Sequence, residues 1–189
     1  MTFDEKLEEL FQDVLRARDT YEAWWTLKSD KVRPTYVGTM NHYLGYFRIA
    51  IHSHFVAMIM ALCRLYDTHK EALSIPRLVV SLQSEPGISK SIMQNVKESV
   101  AAVESSILKI KLLRDKVFGH RDRSHTYERA FEEAGLTGNE VENLIDKTLQ
   151  IINALLKARN KGTYEFEHYT ELDLLKLLRD LSSAQGRST

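Results

Sequence analysis

Residues 103–121 read VESSILKIKLLRDKVFGHR. Positions 103, 107, 110, 114, 117 and 121 follow one another by three or four, the spacing of a single helix face. Backwards, the same seam takes in Val100 and Val96. A stripe that stays apolar for so many turns belongs to a helix packed against others. The chain of 189 residues has only 8 Gly and 3 Pro to interrupt such patterns. The predicted fold is therefore all-α, an up-and-down bundle of four long helices with short extra helices.

Outward from this stretch, the spacing predicts a helix from about Ser89 to Phe118, opened after the break at Ser84-Glu85-Pro86-Gly87. A first helix is predicted over Phe3–Leu27, with Thr2 and Glu5 at capping-box spacing. A second is predicted over Thr35–Tyr66, its stripe running Met40, Leu44, Phe47, Ile51, Phe55, Met58, Leu62, Leu65. A short helix near Ile75–Leu82 takes Ser74 as its N-cap. The fourth long helix follows Thr137 and Glu140, a second capping box, and is expected to end near Asn160-Lys161-Gly162, with Gly162 a good helix terminator. Residues 1–160 make the bundle. Residues 161–189 are read as an appendage, a short helix capped by Thr170 and a disordered tail.

Composition bounds the function. The 26 Lys and Arg balance 26 Asp and Glu, so an anionic partner must be met by a local patch. The lone Cys63 excludes an intramolecular disulfide and fits a cytoplasmic setting. The N-terminus lacks the pattern of a signal peptide. The most apolar region, about Phe47–Tyr66, is interrupted by Arg48, His52, His54 and Arg64, so no membrane association is expected. His52 and His54 lie about 200° apart on a helix and cannot share a metal, and no phosphate-binding glycine loop is present. No metal or cofactor is expected. Of the neighbouring Trp24 and Trp25, one is read as core and the other as a cap of the bundle or a partner contact.

Arg114 and Arg121 occupy seam positions that earlier turns give to Val103, Ile107 and Ile110. An unpaired cation buried there would cost on the order of several kcal/mol. A carboxylate, with Asp67 and Asp115 as candidates, can neutralise Arg114. Alternatively the seam opens to solvent, or two protomers meet there around a polar cleft. His120 follows six residues after Arg114, about 120° away on a continuous α-helix, with Gly119 to loosen the backbone. A guanidinium can hold a phosphate and stabilise charge growing on its oxygens. An imidazole titrating near neutrality can move a proton to or from a ribose hydroxyl. RNA brings its own nucleophile, the 2′-OH. Between Lys109 and Arg123 there are six cations and two anions, a local excess of four. Lys111, Lys116, Arg121 and Arg123 are the candidate RNA-binding side chains around the catalytic candidates. The alternative is a solvated cationic helix end complementing the helix dipole.

Arg114-Asp115-Lys116-Val117-Phe118-Gly119-His120 resembles the signature of the HEPN superfamily, an Arg, a polar residue, and a His after a short gap. With Arg121-Asp122 following, and Arg64-Leu65-Tyr66-Asp67 ending an earlier helix, the chain looks like the abortive-infection branch of that superfamily. The resemblance covers about residues 35–160. It implies a metal-independent endoribonuclease acting as a toxin or phage-defence effector, dimeric, with both Arg–His pairs meeting at the two-fold axis. Carried over by position, Arg114 would stabilise the phosphate, His120 would be the general acid–base group, and Asp115 would orient one of them. Some such toxins have an antitoxin that modifies a Tyr two residues after the motif His. Here Asp122 occupies that position, while His125-Thr126-Tyr127 offers the spacing in another register. The competing expectation is a non-catalytic module that binds RNA, a nucleotide or a protein.

Overall fold

The computed structural model describes residues 1–119 and 132–186. Among them every regular element is helical. Helix α1 spans Phe3–Lys28, α2 Arg33–His42, α3 Leu44–Leu65 and α4 Ile75–Ser81. Helix α5 spans Lys90–Ala101 and α6 Glu104–Leu113, which continues as a π-helical turn through Arg114–Gly119. Helix α7 spans Gly138–Ala158 and α8 Tyr169–Gly186.

Two of the long helices begin where their capping boxes place them. Thr2 Oγ1 accepts from Glu5 N while a Glu5 carboxylate oxygen accepts from Thr2 N at 2.8 Å. The same exchange joins Thr137 and Glu140 at the start of α7. Lys109 Nζ adds a third bond to the second box, donating to Glu140 Oε1 at 2.5 Å and tying α6 to α7. Leu136 and Val141, the expected staple, both pack into the core. Ser74 caps α4 by accepting from Arg77 N.

Elsewhere the chain departs from the simple pattern. The expected second helix is two, broken at Tyr43, and the expected third is also two, broken at Ala102–Val103. Neither break carries Gly or Pro at its pivot. The apolar stripe runs on through both, so periodicity alone does not show them. Helix α7 runs to Ala158 and closes within the expected Asn160-Lys161-Gly162 stretch: Asn160 takes φ 54°, and Lys161 N donates to Leu156 O at 2.9 Å in a Schellman closure. Helix α8 starts at Tyr169, before Thr170, and continues through Gly186, so Ser182–Gly186 are helical and not the expected disordered tail. Thr170 Oγ1 donates to Asp19 Oδ1 and does not cap the helix.

Helix α1 packs along α3, and α7 closes the bundle against α1, α5 and α6. The main core joins Leu7, Val14, Met58, Leu62, Ile110 and Ile152. Residues 164–178 pack on the bundle as well. Phe11 stacks on Tyr164 with centroids 3.7 Å apart, and Leu178 joins Leu27, Met40 and Phe47 in a second apolar cluster. By length and composition α3 passes as a membrane span despite its Arg and His residues. Yet it buries Phe55, Met58, Ile59, Leu62 and Leu65 as a core helix does. Trp25 is the more exposed of the tryptophans, at 38%, and its ring occupies the space a Cβ on Gly138 would need. Trp24 packs against the core, so the pair divides between core and cap.

Candidate active site

Helix α6 drives Val103, Ile107, Ile110 and Leu113 into the core. At Arg114 the hydrogen-bond register widens from α to π. Such turns are rare and recur at functional sites, because the wider ring redirects side chains that a continuous α-helix would bury. The turn lies against α3, near the Arg64–Asp67 segment that ends that helix.

Arg114 therefore stands at the mouth of the seam with its side chain 33% exposed. Its Nε donates to Asp115 Oδ1 at 2.7 Å. That bond raises the guanidinium further above its ordinary value, with burial acting the other way and Asp67 adding a smaller electrostatic contribution. Of the two candidate carboxylates, Asp115 makes the direct contact. No described residue takes a hydrogen bond from the two terminal nitrogens of Arg114. Asp115 is itself 59% exposed, so the pair is open to solvent and not sealed inside the protein.

The ground behind the site is rigid. Tyr66, 1% exposed, bonds through its hydroxyl to Thr148 Oγ1 at 2.6 Å, and Thr148 donates onward to Leu144 O. Burial pushes the Tyr66 phenol up to about 12. Asp67 Oδ1 accepts from His69 N at 2.8 Å, turning the chain out of α3. Arg64 pairs with Asp13 of α1, so the first residue of that segment braces two helices. Burial pushes the Cys63 thiol up to about 11, and its Sγ lies 3.8 Å from Ile110 O, a packed small residue without thiolate character.

The structure thus brings together Arg114, Asp115, Lys111 and Lys116 on one helix and its terminal turn. His120, Arg121 and Arg123 lie outside the described residues, as does the alternative register at His125 and Tyr127. Among the described residues no three His, Cys, Asp or Glu side chains converge as a metal site.

A second cluster escaped the sequence reading. Arg18 is 8% exposed and Glu22 4%. Arg18 Nε bonds Glu22 Oε1 at 2.8 Å, its Nη1 reaches Asp146 at 3.4 Å and Glu142 at 3.6 Å, and its Nη2 lies 3.2 Å from His168 Nδ1. His168 Nδ1 lies 2.5 Å from Glu22 Oε1, and the guanidinium is 5.1 Å from the Phe166 ring centroid. The signal was available: Arg18 follows Val14 by four and precedes Tyr21 by three on the apolar stripe of α1, as Arg114 does on its own.

No curated protein and no solved structure matches the chain. The HEPN_AbiU2 family model, described as AbiU2, matches residues 2–177, the first seven helices and the first half of α8. With an all-α bundle, the Arg-Asp pair at the end of a core helix and a match of that extent, the chain belongs to the AbiU2 family of HEPN, abortive-infection-type proteins.

Proposed function

We propose that this protein is a metal-independent endoribonuclease, a toxin or phage-defence effector that cuts RNA at a site completed by a second copy of the chain. The observation that carries the reading is Arg114: a part-exposed guanidinium at the end of the core seam, held by one nitrogen to Asp115 and by no other described residue. In the reaction, His120 takes the proton from the ribose 2′-OH. The 2′ oxygen attacks phosphorus, and the 5′ oxygen leaves with a proton returned by the paired site. Arg114 holds the non-bridging oxygens as their charge grows, Asp115 orients Arg114, and Lys111, Lys116, Arg121 and Arg123 draw the strand in.

Purified full-length protein should cut single-stranded RNA in EDTA and leave 2′,3′-cyclic phosphate ends. His120→Ala should remove the cutting without lowering the melting temperature, and the wild type should sediment as a dimer. Equal cutting by wild type and His120→Ala would remove the catalytic assignment. A second reading draws on the Arg114–Asp115 bond itself: a structural ion pair in a non-catalytic module that binds RNA or another protein. It predicts that Arg114→Ala destabilises the fold and that neither form cuts.

A further inference from the structure

A hollow of about 340 Å³ opens between the end of α3, the start of α4, α5 and α6. Its wall is apolar at Pro76, Ile107 and Leu108, and its rim carries Lys97, Glu104 and Lys111. Leu108 is 61% exposed, an apolar side chain left at the edge of a concavity. No described side chain forms a hydrogen bond or ion pair with Lys97, Glu104 or Lys111. The volume falls within the range of small-ligand sites, roughly 300–1,000 Å³.

Its position matters more than its size. Glu104, Ile107 and Lys111 follow one another by three and four along α6, and Arg114 is the next step on that ridge. Arg114 lies about 4.5 Å along the axis from Lys111 and about 10 Å from Ile107. The hollow is thus a concave, largely apolar surface reached along α6 one turn before the candidate phosphate site. A purine nucleotide spans a comparable length from its phosphate to the far edge of its base.

We infer that this hollow is a base-binding subsite for the nucleotide beside the scissile phosphate, and that Glu104 makes it prefer guanine. The inference rests on the ribonuclease reading for its place in the reaction. Bases of single-stranded RNA are unstacked and present their edges to a protein. The apolar wall takes the face of the ring. Lys97 and Lys111, both lining the hollow, meet the flanking phosphates. A carboxylate offers two acceptors and no donor. Guanine alone places two donors side by side on its Watson–Crick edge, N1–H and N2–H. Adenine and cytosine pair one amino donor with a ring nitrogen acceptor that would face the carboxylate. Uracil has one N–H between two carbonyls.

Two measurements on the full-length protein test this. The first maps cut sites on single-stranded RNA of mixed sequence in EDTA. Guanine should be enriched at one fixed position beside the cut, and Glu104→Gln should lower that enrichment about tenfold, as for a lost bidentate base contact. Leu108→Glu, at an exposed position, should flatten it while the fold persists. The second titrates the protein with GMP, AMP, CMP and UMP and follows the amide resonances of Lys97 and Leu108. GMP should shift them most, and Leu108→Glu should weaken its binding. If Arg114→Ala loses cutting but Glu104→Gln and Leu108→Glu keep the wild-type base profile, the subsite is wrong and the nuclease stands. If the wild type cuts nothing yet GMP binds at these residues, the nuclease reading fails and the subsite stands as a nucleotide site. Equal shifts from all four nucleotides, or none, would overturn the guanine subsite.

Discussion

Arg18 and Arg114 occupy equivalent places in the pattern of their helices and opposite places in the protein. Each interrupts an apolar stripe. Arg18 is enclosed by Glu22, Glu142, Asp146, His168 and the Phe166 ring, so its charge is met from every side by the protein's own groups. Among the described residues Arg114 bonds one carboxylate, through one nitrogen, and its side chain is 33% exposed. A guanidinium has five N–H donors. Where the fold satisfies them, the residue holds helices together. Where the fold leaves them open beside other cations, the residue is equipped for an anion from outside. Placement on a buried stripe raises the question of what a cation does, and the count of satisfied donors answers it.

The contrast breaks most sharply at Glu22. Removing it leaves Arg18 buried against a weaker set of partners and takes from His168 one of its two polar contacts on α1. Glu22→Ala should cost about 3 kcal/mol or more, the range for breaking a buried pair. That corresponds to a fall in Tm on the order of 10 °C in a chain of this size. RNA cutting by the folded fraction should be unaffected. A stability change near zero would mean that the cluster is solvated and that Arg18 and Arg114 do not differ in kind.

The next effect is smaller and tests the ground behind Arg114. Thr148→Val removes the acceptor of the buried Tyr66 hydroxyl. An orphaned hydroxyl should cost about 1–3 kcal/mol by chemical denaturation. Restoration by the double variant carrying Tyr66→Phe would show that the cost is the unmade bond and not the shape of the site.

The smallest effect concerns pH. Lys109 and the Thr137 backbone hold Glu140 below its ordinary value, the Lys109 bond first. Its folded value is lower than its unfolded one. Its contribution is therefore present above the unfolded value of about 4.3 and is lost as pH falls through the folded value. Glu140 is part-exposed, so the contribution should be under about 1 kcal/mol. Melting curves of wild type and Glu140→Gln should differ at pH 7 and converge at pH 3. A constant difference would place the effect in the cap geometry alone.

The sequence made part of this legible and hid the rest for physical reasons. Capping boxes are local, so Thr2/Glu5 and Thr137/Glu140 could be read directly and were found as read. The breaks at Tyr43 and Ala102–Val103 could not, because the apolar faces on either side stay in register and no turn residue marks the pivot. Helix α7 closes at Asn160, inside the Asn160-Lys161-Gly162 stretch expected to end it, with Asn160 and not Gly162 taking the left-handed conformation. Residues 182–186 look like a tail by composition, yet they extend a helix whose Leu178 is fully buried against α1–α3. In the site, the register exposed Arg114 as anomalous. The π turn that frees it does not alter the residue pattern, so it leaves no mark in sequence. The hollow beside it is built from four segments between Tyr66 and Lys111, a juxtaposition no linear spacing encodes.

The Arg114 guanidinium is proposed to bind phosphate from outside, and the protein should not need that side chain to fold. Arg114→Ala measures both at once, through RNA cleavage in EDTA and through Tm on the same preparation. The account predicts a loss of cleavage of about 10²–10³-fold, as for the removal of one preorganised charge-stabilising group, with Tm changed by no more than about 2–4 °C. A Tm lowered as far as in Glu22→Ala, with cleavage by the folded protein intact, would contradict it.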